Sequence, residues 1–318
     1  ANMVARYYKG DIVKSIKNVT EIVKGAYAFV FMTEKELIGA RDCYGLRPLC
    51  LGKRPEGYLL ASESCAISAM GGEFIRDVEP GEIVVINENS VESIKGTKYA
   101  PKKLCIFENV YFARPDSNLD GVNIYQSRYN AGRLLARESP VNADLVFSVP
   151  DSGTPAAIGY AAELNIPFGL GLIKNRYAKR TFIEPNQELR ERGVKTKLNV
   201  LNELVKDKTV VMVDDSIVRG TTTKQIVSMV KDAGAKEVHV RIASPPVTYS
   251  CYFGIDTPDR RKLIGANKTI DEIKEYINAD SVYYLSVEGL VKSTASANSY
   301  CLACMNGDYP MEVPSRGI

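Results

Sequence analysis

Two adjacent carboxylates, Asp214 and Asp215, follow the apolar run Val210–Val213 and precede a hydroxyl-rich turn. A continuous apolar run predicts a buried parallel strand, whose carboxyl end delivers both acids to the edge where open α/β sheets bind ligands. Carboxylates there can accept hydrogen bonds from sugar hydroxyls, and free amide groups at the start of the next helix can bind phosphate. The loop is therefore predicted to bind a sugar phosphate through Asp214, Asp215, Ser216, Arg219, Gly220, Thr221 and Thr222.

Two other segments carry groups that suit the same ligand. Pro150–Gly153 joins a predicted strand to a predicted helix, and successive N–H groups in such a turn can form an anion nest. Lys174–Ile183 contains four cations around Tyr177. Taken alone, the first segment also fits an ordinary strand-to-helix turn, and the second also fits a solvated basic loop.

The chain changes its pattern near Lys95–Leu104. Before this point, short apolar or alternating runs separated by turn residues predict antiparallel hairpins, flanked by short helices near Ile12–Lys24 and Cys65–Met70. From about Ile124 onward, apolar strands alternate with helices, which predicts βαβ units and a parallel sheet. The strands predicted in this second part are Asp144–Pro150, Phe168–Ile173, Thr209–Asp215, Val238–Ser244 and Val282–Leu285.

Composition excludes several classes of protein. The 318 residues are 45% hydrophobic and 25% charged, as in ordinary globular proteins, and the net charge of +3 is too small to indicate nucleic acid as a partner. No apolar run approaches the ~20 residues of a membrane span and no signal-peptide pattern is present, so the expected compartment is the cytoplasm. His239, the only histidine, alternates with valines in a predicted strand and is interpreted as structural.

Seven cysteines fall into two sets. Cys301 and Cys304 form a CxxC pair, which alone fits zinc, a redox pair, half of an iron–sulfur site or two simple thiols. Cys105 opens CIFENVYFARPDS and Cys251 follows SPPV, far away in the sequence. The remaining set, interpreted as core thiols in the β-rich part, comprises Cys43, Cys50 and Cys65.

The string VDDSIVRGTT resembles the phosphoribosyl pyrophosphate (PRPP) signature of type I phosphoribosyltransferases, in the form found in amidophosphoribosyltransferases. Resemblance extends through GAYAF, RDCYGLRPL, ASES and VEPGE in the first part of the chain. It implies an α/β protein with a type I phosphoribosyltransferase fold, a parallel sheet with flanking helices, preceded by the C-terminal part of an Ntn-hydrolase αββα glutaminase domain. The implied divisions are residues 1–104, 105–270 and a cluster-binding tail at 271–318.

The resemblance also implies roles for individual residues. Asp151, Ser152 and Gly153 would hold the pyrophosphate, and Ser152 would share Mg²⁺ with Asp214 and Asp215, a set of oxygen ligands that this ion prefers. The basic segment would be a loop that closes over PRPP, although Ala178-Lys179 replaces the family's more usual Val-Gly. Its implied catalytic residues are Lys174, Arg176, Tyr177 and Arg180. The iron–sulfur class of the family implies a [4Fe–4S] cluster on Cys105, Cys251, Cys301 and Cys304.

The expected reaction forms 5-phosphoribosylamine from PRPP and glutamine-derived ammonia, the first step of purine synthesis. The family's glutaminase nucleophile is an N-terminal cysteine, whereas residue 1 is alanine, so only ammonia-dependent activity is expected. Either the sequence is a fragment, which is the favoured interpretation, or the protein has discarded glutamine chemistry. The resemblance further implies purine nucleotide inhibitors and a homo-oligomer. The alternatives are a salvage or orotate phosphoribosyltransferase, which would lack the glutaminase-like part and the cysteine set, and a PRPP-sensing regulator without catalysis.

Overall fold

A computed structural model describes residues 1–96, 100–177, 197–257, 259–297 and 299–313. The strands in chain order are β1 Ala28–Met32, β2 Leu37–Arg41, β3 Cys50–Arg54, β4 Gly57–Ala61, β5 Glu73–Asp77, β6 Glu82–Ile86, β7 Val91–Lys95, β8 Leu104–Cys105, β9 Asn118–Leu119, β10 Val122–Asn123, β11 Leu145–Ser148, β12 Leu172–Lys174, β13 Leu198–Val200, β14 Thr209–Asp214, β15 Glu237–Ile242, β16 Ser281–Tyr284 and β17 Tyr300–Cys301.

The α-helices, numbered over the described residues, are α1 Asn2–Tyr7, α2 Ile12–Ile22, α3 Ser64–Ala69, α4 Ile124–Glu138, α5 Thr154–Leu164, α6 Asn202–Val205, α7 Thr221–Asp232, α8 Ile264–Asn267, α9 Ile270–Ile277, α10 Val287–Ser293 and α11 Ala303–Asn306. A π-helical segment covers Glu108–Phe112, and a 3₁₀ turn covers Arg260–Lys262. None of the helices in these ranges is long and apolar enough to span a membrane.

The first part of the chain contains two antiparallel sheets, in the orders β1-β2-β6-β7 and β4-β3-β5. Neighbouring residues of β6 face opposite sides, as a strand's two-residue period requires. Val85 packs with Ile16 and Val19 of α2, while Val84 packs with Leu49 and Leu51 beside the second sheet. The predicted hairpins are confirmed. Strands β5 and β7 were not predicted, because their residues are exposed or half-buried and form no continuous apolar run.

The second part is built on a parallel sheet in the order β11-β14-β15-β16. Val211 and Val213 of β14 enter one apolar cluster, and Val210 and Met212 enter another, so both faces of this central strand are covered. The predicted strand Phe168–Ile173 is largely wrong. Phe168 forms only an isolated bridge to Val146, and β12 pairs with β13 in a separate antiparallel ribbon.

Helices α4 and α5 pack backbone to backbone beside the sheet. A Cβ atom at Gly132 would lie 1.8 Å from the carbonyl oxygen of Ala156, and one at Gly159 would lie 2.0 Å from that of Tyr129. Only glycine permits such an approach. Because α5 begins directly after residues 151–153, this contact fixes that turn relative to α4.

A buried ion pair joins the two parts of the chain. Arg41 of β2 and Asp120 of the β9–β10 turn are 2.9 Å apart, and their side chains are 1% and 2% exposed. The same guanidinium donates to the carbonyl oxygens of Gly45 and Val78, and Lys102 forms a second ion pair with Asp120. A guanidinium removed from water needs this many acceptors. Arg41 therefore holds the loops at Gly45 and Val78 against the β9–β10 hairpin that carries Asp120.

Candidate functional site

The acidic pair lies at the carboxyl end of β14, at the predicted edge of the sheet. Asp214 and Asp215 are 8% and 7% exposed. Burial, together with the neighbouring Asp215 carboxylate, raises the pKa of Asp214 well above its usual range. The backbone N–H of Asp215 donates to Asp214 Oδ1 over 2.9 Å. Two carboxylates kept close together and away from water form a site that favours a cation or several hydroxyl donors.

The turn before α5 lies against this pair. Ser152 Oγ donates to Asp215 Oδ1 over 2.5 Å, and Ser216 Oγ donates to Asp215 Oδ2 over 2.5 Å. Gly153 is buried, and a Cβ atom there would lie 2.8 Å from the carbonyl oxygen of Val213. The turn can approach β14 this closely only because residue 153 has no side chain. The structure thus brings Ser152 to Asp215, which lies 63 residues further along the chain, as the family resemblance implied.

Helix α7 begins beside the acidic pair with its first amide groups free of side-chain caps. Gly220 occupies the N-cap position with φ +76°. Because glycine has no side chain, it cannot cap the free amide groups of the helix. Thr221 and Thr222 are exposed, whereas Thr223 is buried. The uncapped N-terminus and its dipole form an anion-binding position next to two carboxylates. Of the other predicted loop residues, Ser216 is half-buried and Arg219 is exposed.

The basic segment begins at the end of β12. Lys174 Nζ lies 2.5 Å from Asp151 Oδ2, so this ion pair links the basic segment to the turn before α5. Arg176 is exposed, and Tyr177 is 96% exposed. Both side chains are therefore available to a ligand rather than committed to the core. The predicted catalytic Arg180 and the substituted Ala178-Lys179 pair lie outside the described residues.

One buried residue next to the acidic pair was not predicted from the sequence. Arg128 of α4 donates to the carbonyl oxygens of Asn109, over 2.7 Å, and Ala113, over 2.8 Å. Burial lowers the pKa of Arg128, and the nearby Asp215 carboxylate acts in the opposite direction. A signal was present in the sequence, because helical spacing places Arg128 on the same face as buried Ala131 and Leu135.

The structure brings the four predicted cluster cysteines together. Strand β17 pairs in parallel with β8, which places Cys301 opposite Cys105. Residues 248 and 249 both donate backbone N–H groups to the carbonyl oxygen of Cys304, which attaches the loop carrying Cys251 to α11. Burial raises the pKa of the Cys304 thiol, and the charges of Cys105, Cys251 and Cys301 raise it further. The four thiols are therefore electrostatic neighbours.

Four cysteine thiols are the kind of donor set that holds an iron–sulfur cluster. Within the described ranges, no three His, Cys, Asp or Glu side chains converge closely enough to hold one ion. A [4Fe–4S] cluster takes one thiolate per iron, so its four ligands surround a larger volume. Burial raises the pKa of Cys105 to about 12, so this thiol stays protonated at neutral pH unless a metal replaces its proton.

The remaining three cysteines and the histidine belong neither to the acidic pair nor to the predicted cluster cysteines. Cys50 is fully buried, and Cys65 is buried with its thiol 3.7 Å from Glu63 Oε2, in agreement with their interpretation as core thiols. Cys43 differs, because it lies half-buried in the turn after β2 rather than in a strand. His239 of β15 contacts Ser281 Oγ and Glu237 Oε2 through its two ring nitrogens. Both nitrogens are satisfied, as expected of a structural histidine.

A parallel sheet with an acidic pair and a free helix N-terminus at one edge is the arrangement of a phosphoribosyltransferase. The family model of the phosphoribosyl transferase domain matches residues 126–244, and that of the glutamine amidotransferase domain matches residues 1–69. The fold and site thus define a phosphoribosyltransferase that carries an amidotransferase domain.

Comparison with whole proteins is more specific. The chain is 52% identical to the amidophosphoribosyltransferase of Archaeoglobus fulgidus and 48% identical to that of Bacillus subtilis. These alignments cover 97% and 98% of this chain and about two thirds of each relative, 68% and 67%. This chain belongs to the amidophosphoribosyltransferase family and is thereby a pentosyltransferase.

Solved structures agree with this assignment. The B. subtilis glutamine PRPP amidotransferase complexed with ADP and GMP superimposes with a TM-score of 0.91 at 47% identity, covering 99% of this chain and 70% of that one. A structure described as the allosteric regulatory enzyme of purine biosynthesis gives 0.92 at 47% identity, covering 100% and 69%. The predicted α/β fold, with transferase and amidotransferase parts, is confirmed.

Proposed function

We propose that the site at the end of β14 binds PRPP and transfers its phosphoribosyl group to ammonia, giving 5-phosphoribosylamine. The observation that carries this proposal is the acidic pair, with Asp215 held by Ser152 and Ser216, a few residues before the uncapped N-terminus of α7. The carboxylates suit the ribose hydroxyls, and the helix N-terminus suits the 5-phosphate. The turn at Asp151–Gly153 suits the pyrophosphate.

In the proposed reaction, the nitrogen of ammonia forms a bond to the anomeric carbon while the carbon–oxygen bond to pyrophosphate breaks. The bonding electrons leave with pyrophosphate, and the new ammonium group loses a proton to solvent. Positive charge develops on the sugar and negative charge on the leaving group, so electrostatic stabilisation dominates. Lys174, Arg176 and Arg180 are the proposed cations for the leaving group, with Tyr177 beside them.

Ser152, Asp214 and Asp215 are the proposed ligands of Mg²⁺, whose bound charge would offset that of the pyrophosphate. The chemistry of the three oxygen donors supports this assignment, as does the hydrogen bond from Ser152 Oγ to Asp215 Oδ1. In the chain itself, Ser152 and Ser216 orient the Asp215 carboxylate, and Lys174 is fixed next to the turn by Asp151.

We also propose a [4Fe–4S] cluster on Cys105, Cys251, Cys301 and Cys304, supported by their mutual proximity and by the burial of all but Cys251. Purine nucleotides are the proposed inhibitors, in line with the ADP and GMP bound to the B. subtilis relative. A homo-oligomer in the cytoplasm remains the prediction from the sequence.

The decisive experiment measures pyrophosphate release from PRPP with ammonium and Mg²⁺ at mildly alkaline pH. The natural sequence should release pyrophosphate, and Asp214→Asn combined with Asp215→Asn should reduce kcat/KM for PRPP by roughly 10³-fold. Thr269→Ala, in the capping box of α9, is the matched control and should retain activity. PRPP binding without pyrophosphate release would indicate a sensor instead. Equal activity of the double variant would refute the site.

A further inference from the structure

A small internal cavity lies beneath the acidic pair. Its space for the centre of a water-sized molecule is about 10 Å³. This is close to the minimum that holds one water molecule. The polar residues that line the cavity are Asn109, Ser127, Arg128, Ser152, Asp215 and Ser293. Apolar side chains line the rest of the cavity, so these polar groups are the ones that can hold one small molecule that both donates and accepts hydrogen bonds.

Asn109, which lines the cavity, has a buried carboxamide without hydrogen-bond partners among the described residues. Its side chain is 2% exposed, and neither Nδ2 nor Oδ1 has a hydrogen-bond partner among the residues that the structure describes. A buried carboxamide without partners is costly, and such groups in native proteins are normally satisfied by protein or by ordered water. Since Asn109 lines the cavity, a molecule there can satisfy both its donor and its acceptor.

Asp215 has hydrogen-bonding capacity left on the same cavity. Each of its carboxylate oxygens accepts one serine hydroxyl, from Ser152 and from Ser216. An ionised carboxylate offers about four lone-pair positions, so further donors can bind. Arg128 lines the cavity as well, and its bonds to the carbonyl oxygens of Asn109 and Ala113 fix the backbone that carries the Asn109 side chain.

We propose that this cavity binds one water molecule, which accepts from Asn109 Nδ2 and donates to Asn109 Oδ1 and the Asp215 carboxylate, and that Asn109 thereby positions Asp215. Asn109 does not touch substrate; it acts through the water on the carboxylate that receives the ribose hydroxyls. The water site is inferred from the cavity and from the buried carboxamide of Asn109. Only the expected effect of the water on PRPP binding rests on the proposed function. Ammonia has nearly the same size and is the rival occupant that the kinetic test distinguishes.

The first test is a high-resolution crystal structure of the chain. It should contain one ordered water within hydrogen-bond distance of both the Asn109 carboxamide and the Asp215 carboxylate. A dry cavity, or an Asn109 side chain turned onto a protein partner, would overturn the proposal. This result does not depend on catalysis. If the chain released no pyrophosphate, the proposed function would fail and the water site would still be decided.

The second test compares Asn109→Leu with Asn109→Ala. Leucine has a similar shape, fills the site and offers no hydrogen bond, whereas alanine leaves room for a second water that can still reach Asp215. Asn109→Leu should raise KM for PRPP roughly fivefold to tenfold with kcat within about twofold, and Asn109→Ala should raise it less.

A merely structural role predicts the opposite order, because alanine creates the larger void. An effect of Asn109→Ala on KM equal to or larger than that of Asn109→Leu would therefore overturn the positioning role. A rise confined to KM for ammonia, with KM for PRPP unchanged, would also overturn it and assign the cavity to ammonia.

Discussion

The acidic loop and the cysteine group are built in different ways. The loop is local: β14, the acidic pair and the N-terminus of α7 follow one another within Thr209–Asp232. The cysteine group is assembled from Cys105, Cys251 and the pair Cys301–Cys304, which meet only because β17 pairs with β8 and the loop before Cys251 binds α11. A local site tolerates changes elsewhere in the molecule, whereas a dispersed one depends on the packing of every segment.

The difference has an energetic side. In the loop, burial and like charge oppose the ionised form of Asp214, so function is obtained at some cost in stability. In the cysteine group, the proposed ligand would join three distant segments and add its binding free energy to folding. Substitutions in the loop should therefore change activity more than stability, and substitutions in the cysteine group should do the reverse.

The largest effect on stability is expected from Cys301→Ser. Loss of one thiolate should reduce iron to well below the roughly four atoms per chain of an intact cluster and lower the free energy of unfolding by more than about 5 kcal/mol. Iron analysis and urea denaturation of anaerobically purified protein measure both quantities. Cys50→Ser is the matched control, since Cys50 is also buried but lies in β3; it should keep its iron. Identical behaviour of the two variants would remove the distinction between the regions.

Arg41→Met should have the next largest effect. The substitution removes the guanidinium that is paired with the buried Asp120 carboxylate, and breaking a buried pair costs about 3–5 kcal/mol. Urea denaturation followed by tyrosine fluorescence measures the loss. Arg54→Met, which breaks an exposed pair with Glu56, should change stability by less than about 1 kcal/mol. If both variants lose equally little, the Arg41 network does not hold the junction together.

Gly153→Ala should damage the local site more than the fold. The added Cβ would meet the carbonyl oxygens of Val213 and Val149 at 2.8 and 3.0 Å, so the turn must move away from Asp215. A displacement of this kind should lower kcat/KM for PRPP by roughly 10²-fold while costing about 1–3 kcal/mol of stability. Steady-state kinetics and thermal unfolding separate the two effects. Unchanged kinetics would show that the turn does not position the site.

Asp214→Asn should have the smallest effect, a small change in the free energy of unfolding. Because the folded-state pKa of Asp214 is raised, ionisation opposes folding as pH rises above the usual carboxyl value of 3.8 and through the raised value. The neutral amide removes this penalty, so the variant should be more stable by about 1 kcal/mol at pH 8, with the gain vanishing near pH 3. Urea denaturation across this range tests the sign, and a gain that grows toward acid pH would contradict it.

Several features followed from the sequence because their causes are local. The alternation of apolar strands and helices predicted the parallel sheet, which the structure contains. The two mostly exposed strands of the first part, β5 and β7, were missed because neither forms a continuous apolar run. The strand predicted at Phe168–Ile173 was largely wrong. Its apolar run is typical of a strand in the main sheet, but β12 pairs with β13 in a separate ribbon.

The sequence by itself determined the acidic loop, since strand, acids, glycine and helix start lie in one contiguous segment whose local preferences agree. Tertiary structure alone decided which distant groups reach that loop. The glycine contacts between α4 and α5 place Arg128 and Ser152 on either side of a water-sized cavity, and the chain path from the first domain places Asn109 there. Such contacts depend on packing between segments far apart in the chain, which periodicity and motif spacing do not encode.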